Sequence, residues 1–227
     1  MDRIGRRTQM APVLEALEDR TMLSAGLISM NSSGNATGDY LSDKPSASAD
    51  GRYVAFESAA DNLVTGISDV PNTMDVFVCD RSTGITRMVS VNSSGTAAGN
   101  ARSFNPVISG NGQFVVFESY ASNLVAGITD SNGLPDVYEW NLQTGKTILV
   151  SINRTGTAAG SGTSDQAAVS PDGRFVAFYS TAPDLIANDS NGTSDIFLRD
   201  TVSGTTTLVS ATSTGTSGNG GDRKSVV

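Results

Sequence analysis

The chain has 227 residues, a net charge of -8, one cysteine and no histidine. Its acidic balance, without clustered Lys and Arg, argues against a nucleic-acid partner, and a lone cysteine leaves neither an internal disulfide nor a cysteine zinc site. The missing histidine removes Ser-His-Asp triads, Cys-His dyads and histidine-ligated metals, and no run of about 18 apolar residues marks a transmembrane helix.

In chain order, residues 1–26 read as an N-terminal, targeting-like segment. Arg3, Arg6 and Arg7 open it, but Glu15, Glu18 and Asp19 interrupt the apolar stretch of an ordinary signal peptide. Leu14 and Leu17 fall on one face of an amphipathic first helix. Residues 27–43 follow as a remnant strand and linker, because Leu27-Ile28-Ser29 lies one repeat ahead of Val89-Ser90.

The repeat itself has a period of about 61 residues. Ser-Ala-Asp-Gly-Arg-Tyr-Val-Ala-Phe-Glu-Ser ends at Ser58 and returns in related form ending at Ser119 and Ser180. A second block begins at Asp75, Asp136 and Asp195, and a third is Val89-Ser90, Val150-Ser151 and Val209-Ser210. The copies span 44–91, 105–152 and 166–211, and residues 212–227 are a linker and a tail, Asp222 to Val227, outside the repeat. The third copy is two residues short between Ser180 and Asp195, which marks a surface loop there.

Each copy reads as four strands. A short first strand ends near Ser48, Ser109 or Ser170, and an Asp-Gly or Asn-Gly pair (Asp50-Gly51, Asn111-Gly112, Asp172-Gly173) turns the chain into the second. A long loop leads to the third strand at Asp75, Asp136 or Asp195. A Thr-Gly or Ser-Gly turn (Thr83-Gly84, Thr144-Gly145, Ser203-Gly204) leads to a fourth strand over 87–91, 147–152 or 206–210. One small sheet cannot bury both faces, and radial stacking solves that. The fold class is therefore all-β: a β-propeller of four-stranded antiparallel blades, three present, in an incomplete ring. Val54, Phe56, Val76 and Val89 are expected between blades. The open blade edges are expected to support self-association.

The run Ser-Pro-Asp-Gly-Arg-Phe-Val-Ala-Phe-Tyr-Ser, then Asp-Ile-Phe-Leu-Arg-Asp and a Ser-Gly turn, resembles the WD-like repeats of the TolB family of β-propellers over residues 27–215. That resemblance implies a scaffold for protein contacts in the cell envelope; some relatives are propeller domains attached to peptidases. Leu17-Glu18-Asp19-Arg20-Thr21-Met22-Leu23 resembles the Leu-Glu-Pro-Arg-x-Leu-Leu motif, with Asp19 and Met22 departing from it. It implies a bacterial exported protein at the cell surface, in the periplasm or outside the cell.

The loop before the third strand carries the suggestive chemistry. Asp130, Asn132 and Asp136 in the second copy, and Asp189, Asn191 and Asp195 in the third, place oxygens at positions 1, 3 and 7 around an Asn-Gly turn, as in part of a calcium loop. The plainer reading is a turn whose last Asp accepts backbone amides. In the first copy the Asn has moved to Asn72.

Glu57 and Glu118 occupy equivalent positions, with Tyr179 in the third copy, and read as exposed strand residues rather than a glycosidase pair. Cys79, aligned with Glu139, is expected at solvent or an edge. Trp140 and Tyr120 read as packing or a binding face. No catalytic residue and no cofactor besides calcium is expected. The expected function is a non-enzymatic scaffold that binds a protein or surface polymer through loops 59–74, 120–135 and 181–194. The alternatives are a propeller domain of a larger hydrolase and a calcium-stabilised adhesion module.

Overall fold

The structure, a computed structural model, describes residues 26–187, 189 and 191–212. The Leu17 to Leu23 motif, the helix expected around Leu14 and Leu17, and the tail after 212 lie outside the described residues.

Twelve strands make three four-stranded antiparallel sheets, each in sequence order. The first holds β1 (Ser42–Ala47), β2 (Tyr53–Ser58), β3 (Asp75–Asp80) and β4 (Ile85–Met88). The second holds β5 (Ser103–Ile108), β6 (Phe114–Ser119), β7 (Asp136–Asn141) and β8 (Thr147–Leu149). The third holds β9 (Ser164–Val169), β10 (Phe175–Ser180), β11 (Asp195–Asp200) and β12 (Thr205–Leu208). They stack face to face as three blades of a propeller that does not close.

The hairpins follow the predicted turn chemistry. The Ser48 hydroxyl donates to Asp50 Oδ1 (2.6 Å) and accepts from the Tyr53 amide, while Arg52 N also donates to Asp50 Oδ1. Ser109 with Asn111 and Ser170 with Asp172 repeat this. Gly112 has a second reason to be glycine: besides its φ of 71°, an added Cβ would meet the Tyr53 ring of the preceding blade at 2.6 Å.

The fourth strand ends earlier than expected. Val89 and Ser90 both direct their amides at the Val76 carbonyl, so the ladder stops and the Ser90 side chain turns inward. Leu27 to Ser29 is not a strand either. The segment after it forms a Met30–Thr37 bridge, as Val91–Ala98 and Ile152–Ala159 do in the linkers after the first two blades.

Alternation along the strands fills two inter-blade cores. Ala55, Val76, Val78 and Val89 of the first blade meet Val115, Phe117, Tyr138 and Trp140 of the second. Val116, Val137 and Val150 meet Val176, Phe178 and Phe197 of the third. Phe56 lies on the opposite face of the first blade with Phe77 and Cys79, and Val54, two residues before Phe56 and paired with Cys79, shares that face, so neither packs against the second blade. The outer face of the third blade, with Ala177, Ile196 and Leu198, is half-exposed.

Candidate functional site

The β2–β3 loops of the three blades lie on one rim, and backbone hydrogen bonds knit them to the inter-blade linkers. Ser68 N donates to Thr96 O and Ala98 N to Ser68 O; Ser93 N then reaches Asn123 O in the loop of the second blade. Thr129 N and Ala159 N repeat the first two bonds, and Arg154 N reaches Asp184 O in the third. The rim is thus one continuous belt, on which Val70 (57% exposed) and Leu134 (36%) present apolar side chains to solvent.

Within the belt, the strand-entry aspartates are buried. Asp136 Oδ1 accepts from the Ser151 hydroxyl at 2.6 Å, and Ser151 Oγ in turn accepts from Val137 N. Asp75 with Ser90 and Asp195 with Ser210 do the same. These aspartates therefore work through a serine hydroxyl rather than by accepting backbone amides directly, which explains why the third sequence block is Val-Ser in every copy. The other oxygen of Asp136 faces Asn132 Nδ2 (3.4 Å), which also donates to Gly160 O (2.7 Å). Asn191 Nδ2 likewise meets Asp195 Oδ2 at 2.9 Å. The Asn132 and Asn191 carbonyl oxygens cap Leu134 N and Thr193 N. Asp130 accepts from the Tyr138 hydroxyl at 3.3 Å. Asn132 with Asp136 and Asn191 with Asp195 thus come together as hydrogen-bonded turns. Asp189 is half-buried beside its loop. Burial pushes Asp136 up to about 7 against the Ser151 hydrogen bond, and raises Asp130 as well.

The first copy differs. Asn72 has φ of 64° and takes the left-handed position that Gly133 and Gly192 hold at 66°. Pro71 thereby stands where Asn132 and Asn191 stand. Asp69 Oδ1 and Asp75 Oδ2 are buried without a hydrogen-bond donor. Burial raises both carboxyls, and the two groups are close enough to share a proton.

Glu57 and Glu118 are buried, at 8% and 3% exposure, not exposed as alternation suggests. Glu57 Oε2 accepts from Asn105 N (2.7 Å), and Glu118 Oε1 from Gln166 N (2.8 Å). Asn105 and Gln166 sit in bulges of β5 and β9 with φ of 50° and 52°, which turn their amides toward the preceding blade. The glutamates are inter-blade links, and they were legible only as a repeated acidic position.

Cys79 is 4% exposed. Its register partners are Val54 and Thr86, as those of Trp140 are Val115 and Thr147, so it corresponds to Trp140, not Glu139, and faces inward. Burial raises its pKa, which keeps the thiol protonated and unreactive. Trp140 is core, and Tyr120 stacks on Phe104 at 5.8 Å under Arg102. Between the outer strands of the first two blades lies an open groove of about 440 Å³ lined by Arg52, Tyr53, Asp80, Ile85, Arg87 and Leu142. Arg52 is paired with Asp80 there at 2.8 Å and holds that carboxyl well below the usual range.

No family model and no curated protein matches the chain. Solved structures do. The chain is similar to TolB. TolB from Acinetobacter baumannii is 16% identical over 73% of this chain and 31% of its own, with a TM-score of 0.45. A putative TolB from Agrobacterium tumefaciens is 16% identical over 74% and 48%, with a TM-score of 0.47. The β-propeller domain of the Trilobed protease from Pyrococcus furiosus is 12% identical over 77% and 43%, with a TM-score of 0.44. The chain spans between about a third and a half of the TolB structures it matches.

Proposed function

We propose that the chain is a non-enzymatic propeller module of an exported or cell-envelope protein, and that its β2–β3 rim binds a protein or surface-polymer partner. The observation that supports this reading is the belt itself. Three copies of one loop, tied by backbone hydrogen bonds through the linkers, form a preorganised surface that loses little entropy on binding. Val70 and Leu134 give it exposed apolar anchors, and the loop that carries Val70 also carries the exposed Asp61. That chemistry suits a partner with basic and apolar groups. Among the described residues, no helix is long and apolar enough to cross a membrane.

The test is affinity capture from envelope extracts of the source cell, comparing the wild type with Val70→Ser combined with Leu134→Ser. Both side chains are solvent-exposed, so the melting midpoint should hold while recovery of a specific partner falls at least tenfold. Equal recovery by the two proteins would remove the rim from the reading.

A further inference from the structure

The three loop copies act as controls for one another. In the second blade the acidic pair has donors: the Asn132 side-chain amide for Asp136, and for Asp130 the Tyr138 hydroxyl, which it shares with the Ala121 carbonyl. In the first blade both positions have changed, to Phe77 and Pro71, and neither side chain can donate. The loop length is unchanged, and its left-handed residue is kept by Asn72. Asp75 is 1% exposed and Asp69 half-buried, and their facing oxygens have no donor. When both are ionised the two carboxylates cannot satisfy each other, because each then only accepts, and burying them unpaired is costly.

We propose that Asp69 and Asp75 of the first blade bind one hard divalent cation of the calcium type. The ion takes the place that the Asn132 amide holds in the second blade, between the strand-entry aspartate and a glycine carbonyl; the equivalent carbonyl is that of Gly99. The two carboxylates and the Gly99 carbonyl offer oxygen ligands, which suits calcium rather than a softer metal. Two carboxylates supply the charge, and backbone carbonyls with water complete the shell. The half-buried Asp69 leaves a route in from the rim.

The experiment is calorimetric titration of the full chain with calcium chloride, with melting in calcium against chelator. The wild type should bind one ion, and its midpoint should rise by about 4 °C at ten times Kd. Asp75→Asn should abolish the response. Pro71→Asn is the folding-safe companion: it supplies the amide that the other blades use, so it should remove calcium binding and raise the metal-free midpoint. Asp130→Asn should leave calcium binding intact. No heat and no shift at about 10 mM calcium would overturn the proposal and leave the pair sharing a proton. Calcium binding that survives in Pro71→Asn, or disappears in Asp130→Asn, would also overturn it by placing the ion elsewhere.

Discussion

Replacing Glu118 by glutamine removes one buried carboxyl and keeps an oxygen for the Gln166 amide. Burial pushes this carboxyl up to about 7 from an ordinary 4.5; the Asn105 and Gln166 hydrogen bonds oppose the rise, and the charges of Asp165 and Glu57 add to it. That difference corresponds to about 3 kcal/mol between the protonated and ionised folded states. The sign follows from linkage. Below pH 4.5 the group is protonated in both states and costs nothing. As pH rises toward about 7 the unfolded chain ionises while the folded one holds its proton, so stability falls. Above that, the folded group ionises too and the loss stays constant. Glutamine has no such slope. Urea unfolding of both proteins from about pH 4 to pH 8 should therefore show their stability difference moving by about 3 kcal/mol in favour of Glu118→Gln as pH increases. Asn105 Nδ2, which now donates to Glu118 Oε2 at 3.1 Å, sets a pH-independent offset. Buried carboxyls that do not couple to Glu118, such as Asp136, bend both curves equally and cancel. Parallel curves, within about 0.5 kcal/mol, would mean that water reaches the carboxyl and that the blades do not seal around it.

Two further substitutions test the stacking. Phe117 is fully buried, with its ring 5.7 Å from that of Tyr138, so Phe117→Ala should cost about 3–5 kcal/mol by urea unfolding, and a loss below about 1 kcal/mol would refute its place between blades. Ile196 occupies the repeat position of the buried Val137 but on the half-exposed outer face of the third blade. Ile196→Ala should cost under about 1 kcal/mol in dilute solution, and a cost that climbs with protein concentration would show that this face is covered by self-association.

Much of the blade was legible because its signals are local. Asp50-Gly51 and its counterparts announce the hairpin, and Val-Ser after the fourth strand marks the buried Asp–Ser pair, although its partner was not apparent. Val76 and Val89 fall between blades as expected, and what failed were the polar positions decided by the neighbouring blade. Glu57 and Glu118 look like outward positions of an alternating strand. They are buried because bulged residues 48 positions downstream donate amides to them. A bulge residue such as Asn105 has no sequence signature in this chain, since Lys44 and Gln166 take the same conformation. Cys79 shows the other failure. Aligning it one residue out, with Glu139 instead of Trp140, reversed its face, because strand side chains alternate at every step. The loop residues stood out in the sequence by their spacing around the Asn-Gly turn. What each oxygen accepts depends on Tyr138 and Asn132; the shift of the Asn to Asn72 in the first copy was visible in the sequence, but its consequence for Asp75 was not.

The link between blades also shows how the third blade differs. Glu57 and Glu118 each send a carboxylate across to the bulge amide of the following blade, but Tyr179 holds that position in the third copy, and its hydroxyl donates to Ser194 of its own blade. The outer face of the third blade therefore offers no acceptor of this kind to a neighbour. Its apolar residues Ala177, Ile196 and Leu198 are half-exposed, and Val209 is 57% exposed, where the equivalent Val89 and Val150 are fully buried. A partner packing on this face would be held mainly by apolar contact and shape, without a buried group like Glu118, which makes the interface between the second and third blades sensitive to pH. Association at the third blade should accordingly weaken little between pH 6 and pH 8, where Glu118 weakens the stacking of the second blade on the third.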